Sequence, residues 1–206
     1  MAWDKGFDFR ATSGYVTDPA DCTYVLTSDT TSTTRNGATF LWTTNIASLD
    51  SRDRTTSGDT RLSGMIFVTA GISAAVWDLT LPATGDYDVY LAAGDQAAQQ
   101  QIKLTVGDSG TPFITLSEVD TVAADRYVDA SGALRTRAQW LADSARGGTK
   151  VTRTFTTTTL RLTIGNGSVQ LATAIAHLFV SQVTPAGGFG GLLGHKANRL
   201  VIPLDM

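Results

Sequence analysis

The sequence predicts an all-β protein built of antiparallel strands, and three observations carry that prediction. Of 19 acidic residues 18 are Asp and only Glu118 is Glu, while four of the 16 basic residues are Lys, so the best charged helix formers are nearly absent. Thirty-two Thr and 20 Gly favour strands joined by Asp/Gly turns. Apolar residues alternate with polar ones over several runs in the middle of the chain, as half-buried strands require. With 206 residues, 42% hydrophobic and 17% charged, the chain can bury one core.

The same composition excludes several classes. A net charge of −3 offers no broad basic field for a phosphate backbone, so nucleic acid is not an expected partner. Cys22 is the single cysteine, which rules out an internal disulfide and a zinc site of the paired-cysteine type. No apolar stretch approaches the roughly 18 residues of a membrane span, and no export signal is recognisable. A soluble product is expected.

Taken along the chain, residues 27–64 are dominated by Ser, Thr, Asp, Arg and Gly around one apolar island, Phe40-Leu41-Trp42. They read as long loops with one or two short strands. Ala75, Trp77, Leu79 and Leu81 alternate with polar or outward residues, which sends Trp77 to the core. Residues 82–86 then turn the chain into a second alternating run, Tyr87, Val89 and Leu91, so a hairpin is expected here, closed by Gly94-Asp95. Ile102, Leu104 and Val106 form the next strand. Gly107-Asp108-Ser109-Gly110 turns it into a run carrying either Phe113, Thr115 and Ser117 or Ile114 and Leu116 inward, completing a meander. Residues 131–145 carry helical spacing at Leu134, Ala138 and Leu141, but Gly132, Gly147 and Gly148 bound them tightly and the balance falls against a helix. Residues 151–164 are a Thr-rich strand with Leu160, Leu162 and Ile164 on one face, and residues 174–183 make the last strand. No internal repeat of fixed period is visible.

This order of signals resembles the galactose-binding-like β-sandwich, a jelly roll shared by many carbohydrate-binding modules. The cues are Phe7-Asp8-Phe9, the loop Arg52-Asp53-Arg54, the strand Trp77 to Pro82 ending in Leu-Pro, the Gly85 turn, and the strand from Asp86 ending in Gly94-Asp95. The resemblance spans residues 7–183. It implies an antiparallel jelly-roll β-sandwich; with the loop-rich residues 27–64 and the glycine-rich, then apolar tail, the expected fold is a sandwich of residues 1–184 with long N-terminal-half loops and an extended C-terminal arm of residues 185–206. It also implies a non-catalytic domain whose ligands sit on end loops or a sheet face. Similar domains occur in phage virions, and the stretch from Tyr127-Val128-Asp129-Ala130-Ser131-Gly132 through Trp140 resembles segments of such virion proteins.

Candidate chemistry is sparse. Gly107-Asp108-Ser109-Gly110 is similar to the tetrapeptide around a chymotrypsin-type nucleophile, but both histidines, His177 and His195, follow the serine, and the motif suits a turn. No Gly-x-Ser-x-Gly elbow is present. The pairs Asp86/Asp88 and Asp50/Asp53 could do glycosidase work in principle, but a turn and an outward strand face favour solvated charge. No cofactor is expected; a structural calcium on clustered Asp loops is the alternative, although the spaced Asp-x-Asp-x-Asp-Gly loop is missing.

The strongest ligand-like set is Trp42 and Tyr90 with Arg52, Asp53, Arg54 and Asp59, since sugar recognition pairs an aromatic platform with polar groups that bond hydroxyls. The competing reading makes Trp42 a core anchor and Arg-Asp-Arg an internal ion pair pinning its loop. Trp140 and Tyr127 share that ambiguity. His177, alternating with Phe179, reads as a packed or partner-bonded core histidine. Finally, residues 185–206 place Phe189, Leu192, Leu193, Leu200, Val201, Ile202 and Leu204 in and after a glycine-rich lead, the pattern of an arm that docks on a neighbour. The first expectation is therefore a non-catalytic virion subunit, a head decoration or tail/head accessory protein. Its partners would be other virion subunits in a homo-oligomer. The alternative is a carbohydrate-binding module or adhesin whose partner is a surface glycan.

Overall fold

The computed structural model describes residues 3–12, 22–54, 60–109, 111–165 and 171–184. Their strands are β1 (Asp4–Phe9), β2 (Cys22–Val25), β3 (Thr33–Arg35), β4 (Ala38–Thr44), β5 (Leu49–Asp53), β6 (Gly64–Val68), β7 (Ala75–Thr80) and β8 (Gly85–Asp95). There follow β9 (Gln100–Asp108), β10 (Thr111–Val122), β11 (Arg126–Val128), β12 (Leu134–Thr136), β13 (Val151–Phe155), β14 (Thr159–Ile164), β15 (Thr173–Ile175) and β16 (His177–Gln182). One helix, α1 (Arg137–Asp143), lies between β12 and β13.

Two large sheets face each other. The first runs β12-β11-β8-β16-β1-β2, with β13 paired to the first half of β8; the second runs β10-β9-β14-β7-β4-β3. Pairing is antiparallel except between β1 and β2, which run parallel. A third sheet, β15-β6-β5, adds Ile66, Val68 and Ile175 to the shared core. The all-β sandwich is thus observed. Its centre is an aromatic cluster in which Phe7 and Phe9 of one sheet meet Trp77 of the other edge-on, at centroid separations of 5.2 and 5.5 Å, with Phe40 and Trp42 beside them. Ring edges against ring faces satisfy the quadrupoles while excluding water.

The alternating runs became strands as expected, but several partners differ. β7 pairs with β4 and β14, and β8 with β16, β11 and β13, so no hairpin joins β7 to β8. The chain instead crosses from one sheet to the other through residues 81–84, where the Leu81 N–H donates to the Thr158 carbonyl and the Tyr87 hydroxyl to the Ala83 carbonyl. A two-residue period fixes which face is buried and says nothing about the neighbour. Of the meander, only β9–β10 is a hairpin, with Ile114 and Leu116 inward. The Thr-rich stretch is likewise two strands in different sheets, β13 and β14. Residues 27–54 hold β3, β4 and β5, more strand than the composition suggested.

The expectation against a helix fails over residues 137–143. Thr136 accepts a hydrogen bond from the Gln139 N–H and the Gln139 side chain accepts from the Thr136 N–H, a capping box that satisfies two orphan donors. Leu134, whose spacing suggested helix, lies in β12 and is 47% exposed. The helix covers part of the outer face of the first sheet and buries that part as well. Trp140, Leu62, Tyr127, Ala92 and Ala176 form a second small core there.

Candidate functional site

The aromatic and charged residues singled out in the sequence do not converge. Trp42 is fully buried on β4, its indole N–H donating to the Leu26 carbonyl at 3.0 Å, and it presents no face to a ligand. Arg52 lies over the Phe67 ring at 4.9 Å on β5. Asp53 points the other way and accepts hydrogen bonds from the Ala11 and Thr12 amides, with buried Arg10 at 3.6 Å. Arg54 forms a two-pronged pair with the buried carboxylate of Asp95, at 3.1 and 2.7 Å, and that hydrogen bonding raises its pKa against the opposing pull of desolvation. These contacts tie the end of β5 to the chain just after β1 and to the end of β8, the pinning role weighed against binding. Asp59 and the arm residues Phe189, Leu192, Leu193, Leu200, Val201, Ile202 and Leu204 lie outside the described residues.

Tyr90 differs. It sits half-buried on the outer face of β8, packed edge-on against Phe179 at 6.1 Å, and it lines an open groove of about 340 Å3 with Asp143, Ser144, Gly148, Thr149 and Lys150. The groove's other wall is the chain between α1 and β13. Trp140 anchors that wall by donating from its indole N–H to the Leu91 carbonyl at 2.9 Å, and the Gly148 N–H donates back to the Trp140 carbonyl. Gly147 and Gly148 both have positive φ and lie on the indole; a Cβ on Gly147 would come within 2.3 Å of the ring, so only glycine permits this approach.

Asp129 holds the wall from beneath. It is wholly buried and accepts from the amides of Ser131, Ala133 and Thr149, the Ser131 hydroxyl and Arg135. Desolvation alone would raise its pKa, but the hydrogen bonds of Ser131, Thr149, Arg135 and Ala133 keep it below the ordinary value of 3.8. Arg135 also reaches Asp143 at 3.2 Å, which orients that carboxylate in the groove. Lys150 pairs with Asp88 at 2.5 Å, and this bond, offset by slight desolvation and helped by the nearby Tyr90 hydroxyl, raises the ammonium's pKa. The groove is therefore lined by one aromatic ring, a cation paired with Asp88, an anion paired with Arg135, and two hydroxyls. The Ser144 hydroxyl donates to the Gly148 carbonyl. The arrangement can stack and hydrogen-bond a polar ligand.

The other sequence candidates resolve into structure. Ser109 lies at the β9–β10 turn of the second sheet, whereas His177 lies on the first sheet bonded to Asp8, so the serine and this histidine are not brought together. Asp108 accepts from the amides and hydroxyls of Thr156 and Thr157; despite some desolvation, these bonds hold its pKa far below 3.8 and lock the β13–β14 connection. Asp86 and Asp88 bond to Thr154 and Thr152 across the strand pair. Asp50 and Asp53, three apart on a strand, point to opposite faces. Tyr127 and Trp140 are core residues, and burial raises the Tyr127 pKa further. Among the described residues no cluster of Asp suited to calcium occurs; the group of potential metal donors is Asp8, Cys22 and His177. Asp143, Ser144, Thr149 and Lys150 escaped the sequence reading, and the Gly147-Gly148 pair was their only local signal.

No family model and no curated protein matches the chain. Among solved structures, protein YxiM of Bacillus subtilis is similar over 88% of this chain, with 16% identity and a TM-score of 0.52, a likeness of fold. The match covers 40% of that protein's own length. TmCBM61, solved with β-1,4-galactotriose, matches over 71% of this chain and 88% of its own at 12% identity and a TM-score of 0.29. A carbohydrate esterase of the Shiga toxin-encoding bacteriophage phi24B matches over 66% of this chain and 90% of its own, at 12% identity and 0.26. Scores this low say nothing of this chain. Among the described residues no helix is long and apolar enough to cross a membrane.

Proposed function

We propose that the chain is a non-catalytic carbohydrate-binding domain that takes a neutral glycan in the groove beside Tyr90. The groove carries the reading: the partly exposed Tyr90 ring on β8 lines it together with Asp143, Lys150, Ser144 and Thr149 of a wall held in place by Asp129 and Trp140. An aromatic ring packs on the apolar C–H face of a sugar, while a fixed carboxylate accepts from hydroxyls and a fixed ammonium donates to them. Cation and anion balance, which suits an uncharged ligand. In this reading residues 1–184 form a galactose-binding-like jelly roll and residues 185–206 a separate arm.

Affinity electrophoresis against a panel of neutral polysaccharides tests this. At least one should retard the protein, and Tyr90→Ala should weaken that retardation about tenfold or more while leaving the melting temperature nearly unchanged, since the ring is not part of the central core. Unaltered retardation in Tyr90→Ala, or none with any glycan, would remove the reading.

A second reading, a virion structural subunit docked through its C-terminal arm, draws its support from the glycine-rich and then apolar sequence of residues 185–206. The two are compatible, since a docked domain can present its groove outward.

A further inference from the structure

We infer that Asp8, Cys22 and His177 form a binding site for a single transition-metal ion of the zinc type. This is independent of the glycan groove. The strand order β16-β1-β2 lays the three residues side by side: Asp8 is opposite His177, and Cys22 is opposite Gly6, two residues from Asp8 on the same face. One donor atom from each lies within 4.8 Å of the others, and all three residues are buried. In a tetrahedral zinc site the donor atoms stand roughly 3.3–3.8 Å apart, given bonds of about 2.0–2.3 Å. The widest separation therefore exceeds that geometry by at most about 1–1.5 Å, and the Asp8–His177 contact at 2.6 Å is closer than it, so small side-chain rotations that part this pair and draw in Cys22 would seat an ion.

Two further observations point to a cation. Asp8 and His177 are joined at 2.6 Å through Oδ1 and Nδ1, yet Asp8 Oδ2 and His177 Nε2 are buried with no hydrogen-bond partner. Leaving a carboxylate oxygen and an imidazole nitrogen unsatisfied out of water is costly, and a bound cation satisfies lone pairs of this kind. The Cys22 sulfur also lies directly over β1 at Gly6, where a Cβ would come within 2.1 Å of it. Only glycine at position 6 lets a thiol reach across to the neighbouring strand. One sulfur, one imidazole and one carboxylate are a donor set for zinc or a similar ion and not for calcium, which takes oxygen throughout.

Binding would convert the Cys22 thiol to a thiolate, its proton passing to solvent, with His177 neutral and Asp8 ionised. A fourth ligand would be water. The ion would clamp the first, second and last strands of the sheet, a structural role in a fold without a disulfide.

The full-length protein, stripped with EDTA, is titrated with cobalt(II), a spectroscopic substitute for zinc. The expected result is a saturable sulfur-to-cobalt charge-transfer band at one cobalt per chain, displaced by zinc. Because the chain has one cysteine, the band can arise only from Cys22, so the wild type decides the matter even if variants misfold. Cys22→Ala should lose the band and at least ten-fold in zinc affinity while retaining the far-ultraviolet circular dichroism of the sheets. Absence of the band in folded wild type overturns the site. So does cobalt bound without the band, which would put the ion elsewhere, or zinc affinity unchanged in Cys22→Ala.

Discussion

Asp129 shows how much one side chain can organise. Its two oxygens take hydrogen bonds from three amides, a hydroxyl and a guanidinium, and those groups belong to the segments flanking the groove. In Asp129→Asn one oxygen becomes an NH2 that faces donors, leaving Arg135 or the Thr149 amide without its acceptor. We expect a loss of about 2–4 kcal/mol in urea denaturation at neutral pH. The sign of the acid dependence follows from the same geometry. A carboxyl whose folded pKa is depressed below 3.8 binds protons less readily folded than unfolded, so its contribution is complete above that value and fades as pH falls through the folded pKa. The wild type should lose stability on acidification below about pH 4, and Asp129→Asn should lose less over that window. Trp42 belongs at this scale too. With the indole buried against Phe9 and its N–H bonded to Leu26, Trp42→Ala should cost about 3–5 kcal/mol in thermal or chemical unfolding and leave glycan binding of the folded fraction intact.

Between residue and molecule, the element that decides the site is the turn after α1. Gly147 has φ of +85° and lies on the Trp140 ring, so Gly147→Ala combines left-handed strain with a steric overlap at 2.3 Å. The backbone term alone costs about 1–2 kcal/mol. The ring must also shift, so a lowered melting temperature should come with altered Trp140 fluorescence and weaker glycan retardation; an unchanged spectrum would show that the turn does not seat the indole. This scale also marks the limit of what was legible in the sequence. Alternation identified β7, β8, β9 and β14 and their inward residues, because burial follows local period. It could not pair them, because β7 meets β4 and β14 through contacts with distant parts of the chain. The expectation against α1 weighed the spacing of Leu134, Ala138 and Leu141 against the flanking glycines and left unused the capping pair Thr136 and Gln139, which starts the helix. Tyr90 was picked out as a ligand residue, yet its groove partners are ordinary Ser, Thr, Asp and Lys that become a site only when Asp129 folds their segment over β8. Asp8, Cys22 and His177 were legible singly and never as a group, since only the β16-β1-β2 order brings positions so far apart in sequence together.

At the scale of the whole molecule, the question is which part of the chain the sandwich needs. Strand β16 supplies its last ladder, pairing with β1 on one side and β8 on the other, and the Val183 N–H closes the series by donating to the Asp86 carbonyl. Both faces of β16 are covered, by the central aromatic cluster within and by Trp140 and Arg146 outside, so each core contact described here is complete by residue 184. A chain ending at residue 184 should therefore keep the melting temperature of the full protein within a few degrees. Residues 185–206 combine five glycines with the apolar run Leu200-Val201-Ile202 before Pro203, and such a segment gains free energy mainly by burying that run against another surface. Light scattering of both forms over a range of concentrations separates the possibilities. If the full chain assembles and the 1–184 form stays monomeric with the same melting curve, the arm is a docking device and the sandwich a self-sufficient body that carries its groove outward. If truncation instead lowers the melting temperature markedly, the arm packs on its own sandwich, and docking would have to run through the loops.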